Sequence, residues 1–211
     1  MLSRIFDTDN IIFRFFSKVG YIWWLHTLWL VCSLPIITIG ASTTALCYSC
    51  MKLHKKEGYV TKNFFHSFKE NFVQSTILFL IFLVVGSLLL LDLILGNQID
   101  FGVGRLVRYG AMALLIPYFM TLLYVFAVQA KFVNSISKTI KYAFGVAWRY
   151  FKYTLQIILI VAGVFALNMT IILFNVITLS IGVGIVVYIL AIYYNRIFDD
   201  IIAVSCTCSL R

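Results

Sequence analysis

Between Val19 and Met51 the chain runs 33 residues without a Lys, Arg, Asp or Glu, and only the stretch Ser33–Ser42 invites a turn within it. One bilayer crossing needs roughly 20 apolar residues, so the run is too long for one pass and slightly short for two comfortable ones. Pro35 and Gly40 stand five residues apart. Proline kinks or breaks a helix interior and glycine tolerates a reversal. The pattern predicts a helix from about Val19 to Leu34, a tight structural turn at Pro35 and Gly40, and a returning helix from about Ala41.

Composition supports a membrane setting for that hairpin. The chain is 62% hydrophobic and 12% charged, whereas about a quarter of a soluble domain is charged. Mean hydropathy is +0.98. The first 18 residues carry Arg4, Asp7, Asp9, Arg14 and Lys18 and hold no apolar core with a cleavage site, so no cleaved signal is expected. The 211 residues leave room for one membrane domain. The net charge of +9 reads as basic loops retained in the cytosol rather than as nucleic-acid binding, since no basic recognition motif is present.

Four further apolar runs follow, at Ser75–Leu95, Leu106–Ala130, Thr154–Thr178 and Ile181 to about Phe198. The expected fold is an all-α polytopic bundle of five to six membrane helices arranged as hairpins. Basic residues gather before Val19, between Lys52 and Lys69, and between Lys131 and Lys152. Placing these three regions in the cytosol satisfies the positive-inside bias and needs an even number of crossings before Lys52. Three hairpins with both termini cytosolic meet that condition. A re-entrant first stretch gives the same orientation with four true spans, and a single crossing would leave five basic residues outside.

Two connections read as amphipathic helices at the cytosolic interface. Over Thr61–Phe72, the residues Phe64, Phe65, Phe68 and Phe72 share a side, with Lys62, His66 and Lys69 off it. Over Ile136–Phe151, the residues Ile140, Phe144, Ala147, Trp148 and Phe151 recur at intervals of three and four, beside Lys138, Lys141 and Arg149. Phe64, Phe65, Phe68, Phe72, Phe144, Trp148, Arg149 and Phe151 are thus candidates for contact with the membrane surface or with a partner. An aromatic followed by a cation also precedes each hairpin, at Phe16-Ser17-Lys18, Phe68-Lys69 and Trp148-Arg149, as interfacial anchoring alone would produce.

Chemistry-bearing residues are sparse. His26, among Trp23, Trp24 and Trp29, is expected as a neutral imidazole bonded between helices, and Asn168 as a bridge between two helices. Arg196, Asp199 and Asp200 have the spacing of ion pairs within one helix. Cys47 and Cys50, with Cys206 and Cys208, would make a zinc site only if the pairs converged, and small buried thiols are the ordinary reading. No cofactor, metal or catalytic residue is assigned. A Gly-rich phosphate loop is lacking, and so is the Glu-Ala-Ala loop by which importer permeases engage their ATPase.

The run Leu30–Leu46, then Glu57-Gly58-Tyr59-Val60, Ser67–Phe72, Tyr124-Val125-Phe126 and Lys131 to Ala143, resembles the YesL family of bacterial membrane proteins. The resemblance implies a small multi-pass protein of the bacterial cell membrane, of largely unknown function and with no established site residues. Its members are often encoded beside carbohydrate importers of the ATP-binding-cassette type. From that context the expected role is a non-catalytic accessory subunit whose partners are the bilayer and the importer's permease subunits. A small-solute transporter acting alone as a homo-oligomer is the alternative, and a membrane enzyme ranks last.

Overall fold

The computed structural model describes residues 11–98 and 102–209, and among these it is almost wholly helical, with no strand. The helices are α1 (Ile11–Ser33), α2 (Ile39–Lys55), α3 (Val60–Gln98), α4 (Gly102–Lys131), α5 (Ile136–Arg149), α6 (Phe151–Thr170), α7 (Ile172–Ile177) and α8 (Val183–Ser209). A 3-10 turn at Ile36–Thr38 joins α1 to α2, and a wide π-turn at Thr178–Gly182 joins α7 to α8. Five segments are long and apolar enough to cross a bilayer: Ile36–Lys55, Val60–Gly96, Gly104–Lys131, Phe151–Thr170 and Phe174–Val204. The chain is a polytopic α-helical membrane protein.

The expected turn is present at Pro35, but Gly40 takes no part in it: it is the second residue of α2, in ordinary helical conformation, and serves close packing instead. Thr38 closes the turn, its Oγ donating to the carbonyls of Cys32 at 2.5 Å and Pro35 at 2.7 Å. From there α2 becomes the centre of the bundle and packs against α1, α3, α4 and α8. Its sequence permits this, because Gly40, Ala41, Thr44 and Ala45 form a buried strip of small residues. In lipid, where apolar area alone does not bring helices together, such strips let backbones approach closely. At Gly40 an added Cβ would meet the Ser75 carbonyl oxygen and, at 2.6 Å, Phe79 Cβ. One turn on, Thr44 Oγ and Ser75 Oγ share a hydrogen bond of 2.9 Å.

Between α2 and α3 the chain reverses in four residues. Lys56 takes the left-handed conformation (φ 58°), its N–H bonding to the Leu53 carbonyl, while the Glu57 N–H bonds to the Lys52 carbonyl. This is the Schellman arrangement, usually built on glycine. Gly58, also at positive φ (68°), completes the reversal, and Asn63 Nδ2 donates to the Glu57 carbonyl at 2.9 Å.

Two expectations change here. Thr61–Phe72 is helical but not a separate surface helix: it forms the first turns of α3, one unbroken helix of 39 residues, about 58 Å long. The last hairpin turns at Ile171, before the expected point near Thr178. Asn175 fixes that break by donating from Nδ2 to the Asn168 carbonyl at 2.7 Å, which satisfies a carbonyl at the end of α6. Asn168 bridges no second helix through its own amide, which donates to Val164 in α6.

Candidate functional site

The polar side chains that the sequence scatters over five helices converge at one end of the bundle, the end carrying Lys52, Lys55, Lys69 and Lys131. One layer is a knot on Gln129, which is 3% exposed. Its Nε2 donates to Asn71 Oδ1 (3.0 Å) and Gln74 Oε1 (2.6 Å) of α3, and its Oε1 accepts from Thr139 Oγ of α5 (3.0 Å). Both amide protons and the carbonyl are used, so the group can sit in an apolar interior without a large desolvation cost.

A second layer joins α4, α6 and α8. Tyr124 and Thr154 share a hydrogen bond of 3.0 Å, Thr154 Oγ donates to the Ala147 carbonyl, and Tyr194 OH donates to the Leu123 carbonyl at 2.6 Å. The Tyr124 and Tyr194 rings meet edge to face at 5.5 Å. Asn195 Nδ2 donates to the Met51 carbonyl at 3.0 Å, tying α8 to the end of α2.

The outer layer is ionic. Lys55 Nζ reaches both carboxylate oxygens of Asp199 (2.7 and 2.8 Å), and Tyr150 OH donates to Asp200 at 2.5 Å. The two carboxylates, expected to pair with Arg196 on their own helix, instead bond to Lys55 of α2 and to Tyr150. Burial pushes the Tyr150 phenol up, and its bond to Asp200 adds to the shift. Lys52 bonds Glu57, and that hydrogen bond holds the Glu57 carboxyl below the usual carboxylate range. A recess of about 50 Å³ lies among Tyr48, Lys52, Lys55, Glu57, Lys131 and Asn195.

Around this end the candidate contact residues divide. Phe64 is fully buried in the core and Phe68 packs partly against it, so Phe64 is a structural residue and no surface contact. Phe65 and Phe72 are exposed. On α5 the buried face is Thr139, Ala143, Val146 and Ala147. The large aromatics face outward instead: Phe144 stacks on Trp148 (centroids 6.4 Å apart) and Trp148 meets Phe151 (6.4 Å), with Trp148 66% exposed and Arg149 exposed alongside. Leu155 and Leu159 continue this stripe along α6.

A wider cleft of about 540 Å³ lies between α1 and the start of α3, walled by Tyr21, Trp23, Trp24 and Tyr59, with Trp24 Nε1 donating to Thr61 Oγ at 3.0 Å. His26, only 1% exposed, stacks on Trp29 and bonds through Nε2 to the Leu179 carbonyl in the π-turn. Neither this contact nor the π-turn has a short-range sequence signal. Cys47 and Cys50 are buried free thiols. The side chains of Cys206 and Cys208 lie outside the described residues, among which no three metal-ligating side chains cluster.

Residues 10–93 match the family described as "Protein of unknown function, DUF624". The chain therefore carries the segment that YesL proteins contain, in agreement with the resemblance in Leu30–Leu46, Glu57–Val60 and Ser67–Phe72. No curated protein and no solved structure matches the chain.

Proposed function

Starting from a chain that carries a DUF624 segment, we propose that it is a non-catalytic accessory subunit of the bacterial cell membrane that assembles with the permease subunits of a carbohydrate importer of the ATP-binding-cassette type. The supporting observation is the outward stripe Phe144, Trp148 and Phe151 beside Arg149. Aromatic and arginine side chains are the common anchors of protein interfaces. Most of the buried polar groups named above are consumed in holding helices together, which leaves the surface as the place where specificity resides. Both termini and the basic end face the cytosol in this reading, following the charge bias.

Gentle detergent extraction from the native membrane, followed by mass spectrometry, tests it. Importer permeases and their ATPase should co-purify in fixed ratio, and a W148A/R149A variant should lose them while still reaching the membrane. A chain that purifies alone, or only with itself, overturns the proposal.

One observation favours a stand-alone transporter instead. Two interruptions, at Pro35 and at Ile171–Gly182, flank helices that meet at His26 and Leu179. Transporter sites are often built on discontinuous helices. Solute flux through the purified protein alone in liposomes would support this second reading.

A further inference from the structure

The depth of the α1–α2 hairpin can be read from its register against α3. On α3 no charged residue occurs between Glu70 and Asp92, and on α4 none occurs between Arg108 and Lys131. These uncharged runs of 21 and 22 residues each measure about 32 Å, one hydrocarbon thickness. They are also level. Gln129, two residues from the basic end of the α4 run, bonds Asn71 and Gln74 at the basic end of the α3 run, and Gly96 packs against Gly104 and Arg108 just beyond the other end. Two antiparallel helices thus mark the same slab.

Within that slab α2 stops short. Its first residues touch α3 at Ser75 and Phe79, the fifth and ninth residues of the uncharged run. At 1.5 Å per residue these lie about 6–12 Å in from the basic boundary, and the 3-10 turn adds about 6 Å more. The bend therefore sits near the middle of the slab. Beyond Phe79, α3 continues for another 19 residues, to Gln98. The remainder of α2 runs beside the polar start of α3, where Lys62, His66, Lys69 and Glu70 lie.

The chemistry of the bend agrees with that depth. Leu34, Ile36 and Ile37 are 78%, 69% and 60% exposed, which would set three large apolar side chains in water if the hairpin reached the far face. Non-helical backbone at membrane depth is costly, and the turn keeps it short. Pro35 brings no N–H, Leu34 N–H bonds the Val31 carbonyl, Thr38 N–H bonds the Pro35 carbonyl, and Ile39 N–H bonds the Ile36 carbonyl, which leaves the N–H groups of Ile36 and Ile37 as those the 3-10 turn itself does not use. Ser33 and Ser42 satisfy each other at 2.6 Å.

We infer that α1–α2 is a re-entrant hairpin: it enters from the basic side, ends near mid-depth with Leu34, Ile36 and Ile37 against lipid acyl chains, and returns to the same side. The chain then crosses four times, through α3, α4, α6 and the α7–α8 helix. Length and apolarity alone qualify α2 as a span. Its register against α3 places its first residues in the inner half of the slab.

Single cysteines in a cysteine-free background test this, at Ile37 or Leu34 for the tip, Glu57 for the basic side and Asn97 for the far end of α3. A membrane-impermeant maleimide is applied to intact cells and to inverted vesicles. Glu57→Cys and Asn97→Cys should label from opposite sides, and Ile37→Cys from neither. A nitroxide at Ile37 should be relaxed by oxygen and not by a polar nickel chelate, as at lipid-facing Leu83. Labelling of Ile37→Cys from the Asn97 side means a full crossing and overturns the inference. Labelling of Glu57→Cys from that side does so as well. A nitroxide reached by neither relaxing agent means the tip is covered by protein, which overturns the lipid contact. Leu34→Cys serves where the Ile37 variant fails to insert.

Discussion

His26 and Leu179, 153 positions apart, are joined by a 2.8 Å hydrogen bond from the imidazole Nε2 to the Leu179 carbonyl. That carbonyl belongs to the π-turn Thr178–Gly182, where the wider helical spacing disturbs the usual i to i−4 ladder. The histidine thus acts as a surrogate backbone donor. Close by, α8 presses on α1: a Cβ at Gly184 would lie 2.9 Å from the Ile22 carbonyl oxygen and 3.0 Å from His26 Cβ.

Replacing His26 by Leu leaves the Leu179 carbonyl without that donor, at a cost of about 1–3 kcal/mol. A thermal melt in detergent, followed by tryptophan fluorescence, should show the loss. His26→Gln, which keeps a donor, should recover much of it, and equal loss in both variants would refute the donor role.

Gly40→Ala should be among the most damaging small substitutions in the chain, because its Cβ meets the Ser75 backbone and Phe79 Cβ, neither of which can yield cheaply. Overpacking of this kind costs about 1–3 kcal/mol or more. Gly163 lies in α6 with nothing near its Cβ position, so Gly163→Ala should be neutral or gain about 0.5–1 kcal/mol from helix propensity. The two melting temperatures measured side by side decide the matter.

Gln129→Leu should destabilise more than the loss of one ordinary hydrogen bond. It strips Asn71, Gln74 and Thr139 of a partner at once, and each buried group left unsatisfied costs about 1–3 kcal/mol. Proteolysis at the junction of α3, α4 and α5 should rise in the variant. Double-mutant cycles with Thr139→Ala should show strong non-additivity.

The Lys52–Glu57 contact gives an acid-side pH dependence. The Glu57 pKa is held down in the folded chain, first by the Lys52 hydrogen bond, so the folded state binds its proton less readily than the unfolded state does. Its contribution is present above the ordinary glutamate value of about 4.3 and is lost as pH falls through the lowered folded value. The side chain is half exposed, so the effect is small and screened by salt. Melting curves of Glu57→Gln and the parent chain should converge on acidification below about pH 4.

The sequence states helix positions better than helix neighbours. Pro35 and the charge-free run around it locate the α1–α2 bend because a missing N–H and a lack of charge are local facts. The faces of α5 are harder to read. Hydrophobicity singles out Phe144, Trp148 and Phe151, yet these point outward while Thr139, Ala143 and Ala147 pack inward. In a membrane both faces are apolar, and close packing favours the smaller residues. Phe64 and Phe65 are adjacent and chemically identical, and only the placement of the neighbouring helices decides that one is core and the other surface. Lys55 and Asp199 are 144 positions apart, beyond any spacing rule, so the nearer Arg196 is the partner that a local reading supplies.

The 39-residue α3 runs without a break from its polar start at Val60 past Asp92. A jointless rod of about 58 Å behaves as a lever. Its polar start, where Phe65 and Phe72 are exposed, and its far end at Gln98 belong to one continuous piece held against α2 at Gly40 and Ser75, so a tilt about that contact would displace both ends together.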